Sequence, residues 1–409
     1  MLDRHLRPVV EEALADTPAV LLVGARQTGK TTLARRIASG HAGTGYLTLD
    51  DASVLESAQV DPAGFLAALR SRTVIDEIQR APELLLAMKA AIDRDRSPGR
   101  FLLTGSADVL AMPRVAESLA GRMEIATLHP LSQGELDGRR ERFVDSLLAG
   151  DRPTTRPDGG DGIVDRILRG GFPEAVARPR AERRRAFFDG YATTLLQRDV
   201  RDIADIDRPA ALRRLLHLAA VRTGSILNRA ELGRSLGIPA STLERYLAIL
   251  QTLFLLQPVP AWASNRGKRL VRAPKVHLLD SGLAASLAGL GADVLRRDRT
   301  LLGPLLETFV AAELIKQCSW SDSRPSLFHF RTHGGREVDL VLEDARGRVV
   351  GIEVKAASTV SSADFEGLRA LSETAGKAFV QGVLLYTGTA TLPFGPKLAA
   401  LPVGALWAG

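Results

Sequence analysis

Val23 to Thr32 reads V-G-A-R-Q-T-G-K-T-T, and Gly24 with Gly29-Lys30-Thr31 fits the phosphate-binding pattern G-x-x-x-x-G-K-[ST]. The glycines let backbone N–H groups wrap a phosphate, and a helix starting at the loop's end favours its negative charge. Gly24, Ala25, Arg26, Gln27, Thr28, Gly29, Lys30, Thr31 and Thr32 are the expected nucleotide-binding residues. Lys30 should reach the β- and γ-phosphates, and the Thr31 hydroxyl should hold Mg²⁺. Downstream, Thr73-Val74-Ile75-Asp76-Glu77 joins a short strand to two carboxylates, the Walker B pattern. Asp76 would orient the Mg²⁺ water shell, and Glu77 would align and deprotonate an attacking water. Thr104 reads as a γ-phosphate or water contact, or as a plain strand-end threonine. Arg122 reads as a transition-state cation, acting within its own chain or on a neighbouring copy, or as a surface residue. Arg26 is open in the same way between a phosphate and a partner domain.

Near the C-terminal end, Glu307 lies in a helical run, Asp339 in an apolar strand, and Glu353-Val354-Lys355 in the strand after it. Glu353 and Lys355 alternate onto one face of their strand, and a neighbouring strand can bring Asp339 alongside. Asp339 and Glu353 could then hold Mg²⁺ or Mn²⁺ while Lys355 positions or deprotonates a water attacking a phosphodiester. His329 and His333 lie close by, but a hairpin with hydrophilic tips accounts for them without a metal.

Those groups need elements to carry them. Ala19 to Val23 reads as a buried strand and Thr31 to Ala38 as a helix, so the loop falls between strand and helix N-terminus. Strands at 46–51, 73–77, 100–106 and 122–128 alternate with helices at 61–69, 82–92 and one closing at 118–121. That alternation predicts a parallel sheet covered on both faces. Residues 3–14 predict a short amphipathic helix before it. The Pro- and Gly-rich run 150–162 reads as a flexible insertion, and 163–206 as helices with Arg183-Arg184-Arg185 as a solvated face or a phosphate contact. Helices at 210–220 and 229–236, a turn at Gly237-Ile238-Pro239, and a helix from Ser241 have helix-turn-helix spacing, with 268–278 as a wing. Ser241, Thr242 and Arg245 would then face DNA, unless this segment serves as a lid or packing domain. The expected domains are 1–135, 136–208, 209–278 and 279–409.

Hydrophobic residues make up 45% of the 409 residues and charged ones 25%, an ordinary globular balance with room for several cores. The net charge of +7 is compatible with a nucleic-acid partner and does not require one. A single cysteine, Cys318, excludes an internal disulfide framework and reads as a packed small hydrophobe. No signal-peptide core follows Met1, and the longest apolar stretch, around 247–256, contains Gln251 and Thr252. The expectation is a soluble cytoplasmic protein with no membrane segment.

G-A-R-Q-T-G-K-T-T, V-I-D-E-I-Q, F-L-L-T-G-S-A and S-L-A-G-R-M-E-I together resemble a prokaryotic AAA+-like, STAND-related ATPase family whose C-terminal domain is of unknown function. G-G-F-P-E-A (Gly170 to Ala175) and Y-A-T-T-L-L-Q-R-D-V-R-D (Tyr191 to Asp202) extend the resemblance over nearly the whole chain. Members commonly carry proline where this chain has Ala25. The resemblance implies ATP as the nucleotide, with Mg²⁺. The C-terminal constellation resembles the PD-(D/E)XK nuclease core, with Glu307 as its helical acid. The fold expected is therefore α/β: a P-loop NTPase AAA+-like parallel sheet, a helical and winged-helix middle domain, and a C-terminal α/β restriction-endonuclease-like domain. The function implied is an ATPase whose nucleotide state gates a nuclease-like domain acting on nucleic acid, DNA by preference. The alternatives are a regulatory ATPase with a non-catalytic binding module for nucleic acid or protein, or a winged-helix DNA switch, in defence or toxin–antitoxin settings. A homo-oligomer is compatible with each.

Overall fold

Alternation along β1 (Ala19–Val23) explains the first layer of the structure: all five residues are buried because both faces of the strand are covered. In this computed structural model, residues 2–69, 72–106, 121–153, 160–197, 200, 206, 208–269 and 272–408 are described. Val20 and Leu22 pack against Leu33, Ala34 and Ile37 of a helix, while Ala19, Leu21 and Val23 pack with Leu84, Leu85, Met88 and Ile92 of another. β2 (Gly45–Thr48), β3 (Thr73–Asp76), β4 (Phe101–Gly105) and β5 (Met123–Thr127) complete a parallel sheet in the order β2-β3-β4-β1-β5. Helix α1 (Arg7–Asp16) leads into β1, α2 (Lys30–Ser39) follows the phosphate loop, and α3 (Glu83–Arg94) precedes β4.

The chain divides into two compact units: Met1–Leu131 with Thr252–Phe254, and Ser132–Gln251 with Leu255–Gly409. In the first, the strand expected to run to Asp51 stops at Thr48. Asp51 instead caps a helix, Ala52–Val60, by accepting from the Ser53 and Val54 amides. Of the helix expected to close at 118–121, residues 118–120 lie outside the described residues.

In the second unit, α4 (Pro209–Val221), β6 (Ser225–Ile226), α5 (Arg229–Leu236), α6 (Ala240–Thr252), β7 (Leu256–Val259) and β8 (Lys275–Leu278) follow one another. The strands form a small antiparallel sheet in the order β6-β8-β7. Asn228 caps α5, and Gly237 ends it in the left-handed conformation at φ 64°. β8 occupies the end of the expected wing, whose residues 270–271 lie outside the described residues.

The long helix α7 (Leu302–Trp320) precedes β9 (Ser326–Arg331), β10 (Glu337–Glu343) and β11 (Val349–Lys355), an antiparallel meander. Helix α8 (Glu366–Ala375) then returns the chain to β12 (Phe379–Tyr386), parallel to β11. β13 (Leu392–Pro393) and β14 (Leu398–Pro402) finish the sheet in the order β13-β14-β12-β11-β10-β9. His329 departs from the expected hydrophilic tip: it is buried, with Nε2 3.1 Å from the Ala273 carbonyl, whereas His333 is exposed in the turn. Of the expected insertion, 154–159 lie outside the described residues, and its end is helical from Gly160 to Arg169. Arg183 and Arg185 are exposed, as expected of a solvated face. Among the described residues no helix is long and apolar enough to cross a membrane.

Candidate nucleotide site and a buried carboxylate cluster

The loop between β1 and α2 is shaped by two glycines. Gly24 has φ 146°, and a Cβ there would lie 2.3 Å from the Leu128 carbonyl oxygen, so no side chain fits. Gly29 caps α2 in the left-handed region at φ 97°. Within the loop the Thr28 hydroxyl donates to the Ala25 carbonyl at 2.9 Å. The Lys30 ammonium donates to the Gly24 and Ala25 carbonyls, each at 2.9 Å. Arg26 is half-buried, while Gln27 and Thr32 are exposed.

Asp76, at the end of β3, is 2% exposed and surrounded by hydroxyls. Thr31 donates to its Oδ1 at 3.1 Å, Thr104 donates to the same oxygen, and Tyr46 donates to Oδ2 at 2.7 Å. β4, which carries Thr104, lies between β1 and β3, which is why its hydroxyl can brace both acids: it also accepts the Glu77 amide at 3.1 Å. Glu77 adopts φ 63°, a left-handed conformation costly for a non-glycine residue. Its carboxylate accepts from Gln79, whose Nε2 also donates to Ser106 Oγ at 2.9 Å. Burial, then the bond to Asp76, push the Tyr46 phenol up to about 12, and the Arg35 guanidinium lies 4.9 Å over its ring. Thr31 and Asp76 are hard oxygen donors side by side beside a buried ammonium, and they fit Mg²⁺ with a nucleotide.

Arg122 does not join this site. It precedes Met123, which pairs with Ala19 at the start of β1, whereas the loop follows Val23 at that strand's end. Both strands run the same way, so Arg122 lies at the opposite end of the strands, about 13 Å along them. There its guanidinium grips Asp93 at 2.8 and 3.0 Å. The in-chain reading of Arg122 is overturned by this topology.

The second unit gathers Glu307, Asp339 and Glu353, but with an unexpected partner. Leu340 pairs with Ile352, and the next step sets Asp339 beside Glu353. Asp339 Oδ2 also accepts the Val354 amide at 3.0 Å. Lys275, on β8, donates to Glu307 Oε1 at 2.9 Å and to Asp339 Oδ1 at 2.8 Å. Burial works against the Lys275 charge, but Asp339 and Glu307 overcome it and raise its pKa. Burial and then Asp339 push Glu307 up to about 8 and Glu353 well above the carboxylate range. His277, two residues along β8 and so on the same face, is fully buried and lowered to about 3 by burial and then by Lys275. Lys355 is bound by Asp364 instead of joining the carboxylates. The expected arrangement therefore departs at two points: a lysine from another sheet bridges the acids, and Lys355 turns away. Among the described residues no three His, Cys, Asp or Glu side chains form a group able to hold a metal. As they stand, Asp339 and Glu353 do not fit the divalent ion expected there.

Residues 16–137 match the family model described as AAA domain. Residues 160–294 match Domain of unknown function (DUF8612), and 302–406 match Domain of unknown function (DUF4143). Two relatives, Uncharacterized protein Rv2008c of Mycobacterium tuberculosis and Uncharacterized protein Mb2031c of Mycobacterium bovis, are each 31% identical over 395 residues, covering 96% of this chain and 82% of theirs. The chain belongs to their family. A solved DNA replication initiation factor is similar at 10% identity over 60% of this chain and 85% of its own, with a TM-score of 0.27, too low to bear on the fold. The sheet order and the matched AAA domain make the first unit an AAA-family ATPase fold.

In this family member, sequence reasoning missed Tyr46, Gln79 and Lys275. Tyr46 had only a faint signal, a hydroxyl on the strand face of Thr48, because the pairing of that strand with the strand of Asp76 is visible in the structure alone. Lys275 had a weaker one: Lys275 and His277 put two polar residues on one face of a strand that is buried throughout.

Proposed function

We propose that the chain is a Mg²⁺-dependent ATPase whose nucleotide state governs a second unit acting on nucleic acid. The observation that carries this reading is the 3.1 Å approach of Thr31 Oγ1 to Asp76 Oδ1 beside the buried Lys30. Gly24 to Thr32 would take the phosphates, and Thr31 and Asp76 the Mg²⁺. Bound Mg²⁺ would neutralise charge on the phosphate oxygens. Lys30 would leave the loop carbonyls for the phosphates, and Glu77 would leave Gln79 to accept the proton of the attacking water. Arg122 would serve the nucleotide of a neighbouring copy, which makes a homo-oligomer the working form. The AAA domain match supports ATP as the nucleotide. Turnover of ATP by the purified chain, lost in Lys30→Ala, supports this; equal turnover in Lys30→Ala would sink it.

For the second unit, we read 209–278 as winged-helix-like and 279–409 as PD-(D/E)XK-like, on the order of their elements and on the convergence of Glu307, Asp339 and Glu353. Arg245, exposed on α6, and the net charge of +7 suit DNA as partner. The Lys275 bridge favours a second reading, in which this unit binds nucleic acid or a protein without cutting. Incubation with plasmid and single-stranded DNA, in Mg²⁺ or Mn²⁺ and with or without ATP, decides between them. Cleavage lost in Asp339→Ala supports a gated nuclease. ATP turnover with intact DNA in both metals supports the binding module.

A further inference from the structure

We propose that the ammonium of Lys275 holds the place of a divalent cation in the pocket of Glu307, Asp339, Glu353 and His277, so that lysine and metal ion exclude one another. The inference rests on the nuclease-like reading of residues 279–409 for the identity of the carboxylates, and it assigns that site a resident cation from within the chain.

The geometry supplies the argument. The Lys275 side chain is 4% exposed and bonds at 2.9 Å to an acid on α7 and at 2.8 Å to an acid on β10. An ammonium this deep persists only where its charge is compensated, and here the two carboxylates compensate it. The pocket also holds donors that the ammonium does not satisfy. Glu353 Oε2 and His277 Nε2 are buried without a hydrogen-bond partner, and that Nε2 lies 3.8 Å from Glu307 Oε1. An ammonium offers three hydrogens, whereas a divalent ion takes about six ligands, so the unspent donors match the larger demand. Carboxylate oxygens with one imidazole nitrogen suit Mn²⁺ or Mg²⁺ better than a thiophilic ion. Lys275 belongs to the β6-β8-β7 sheet and not to the sheet of Asp339 and Glu353. Its withdrawal can therefore leave the β10–β11 pairing intact. A chain in this arrangement carries its carboxylate centre closed.

The test is Mn²⁺ binding to the full chain without nucleotide, read from the electron paramagnetic resonance of free Mn²⁺. Wild type and Lys275→Arg should show no site that depends on Asp339. Lys275→Met should gain one, binding about tenfold or more tighter than any in wild type, and Asp339→Asn should remove it. Should Lys275→Met unfold by circular dichroism, Lys275→Met with Glu307→Gln removes one charge of each sign and should still gain a weaker site. An Asp339-dependent Mn²⁺ site of equal affinity in wild type and Lys275→Met overturns the inference, as does a folded variant that gains none. DNA incubation with the same proteins separates the two readings. A gained Mn²⁺ site with no cutting leaves the inference standing and removes the nuclease. Asp339-dependent cutting by wild type in Mn²⁺ without nucleotide keeps the nuclease and removes the inference.

Discussion

Tyr46 donates its phenolic hydrogen to Oδ2 of Asp76 at 2.7 Å, on the carboxylate whose other oxygen receives Thr31 and Thr104. The acid expected to orient Mg²⁺ is thus fixed from a neighbouring strand as well as from the phosphate loop. Tyr46→Phe keeps the ring under Arg35 and deletes only the donor. The loss should destabilise the first unit by about 1 kcal/mol, because Tyr46 is only half-buried. ATP turnover should fall more than ATP affinity, since the phosphate loop is untouched. A fall in affinity with turnover at saturating ATP unchanged would show that Tyr46 acts on nucleotide binding alone.

Burial of the same phenol, with the bond to Asp76 added to it, gives a pH signature. A phenol held at about 12 when folded, above its ordinary 10.0, binds its proton more tightly in the native state. Its contribution to stability is therefore complete below about pH 10 and is lost as pH rises through about 12. Ultraviolet titration of phenolate absorbance should show a late-ionising step in wild type. Tyr46→Phe should remove that late step.

Gly24→Ala tests the loop itself. The added carbon would meet the Leu128 carbonyl oxygen at 2.3 Å, on a backbone at φ 146°. Neither can relax without moving the end of β1, so a cost of about 2–4 kcal/mol is expected. Nucleotide affinity should fall together with thermal stability. A variant as stable as wild type would show that the loop opens more readily than its contacts imply.

The local parts of the nucleotide site were legible because the motif is contiguous and its flanks have clear periodicity. Gly24 through Thr32 and Asp76-Glu77 could be placed on a loop and a strand end from spacing alone. What spacing cannot show is strand order. Arg122 follows directly from β5 starting level with Ala19, and no local pattern near Gly121 carries that information. Lys275 is hidden for a similar reason, standing 32 and 64 residues from Glu307 and Asp339 on a different sheet. Lys355 looked right because alternation puts it on the face of Glu353, yet Asp364 offered it a partner nearer the surface.

Lys355→Ala separates appearance from role. Its ion pair with Asp364 is partly exposed, so its loss should cost only about 0.5 kcal/mol of stability. Carboxylate geometry around Lys275 should persist. Loss of DNA cleavage in this variant, with stability unchanged, would restore Lys355 to the chemistry.

Arg122 makes the sharpest test of assembly. Placed at the far end of its strands from the phosphate loop, it would serve a phosphate on another copy, so Arg122→Ala should leave nucleotide affinity unchanged within about twofold. Its turnover should nevertheless collapse, as should that of Lys30→Ala, which keeps the arginine and lacks the loop lysine. Mixing the two variants puts an intact loop against an intact Arg122 in some assemblies. ATP turnover should then rise above the sum of the separate variants, at protein concentrations where light scattering shows more than one copy. A mixture no more active than its parts would reduce Arg122 to what its bond with Asp93 already makes it, a surface ion pair that closes α3 onto β5.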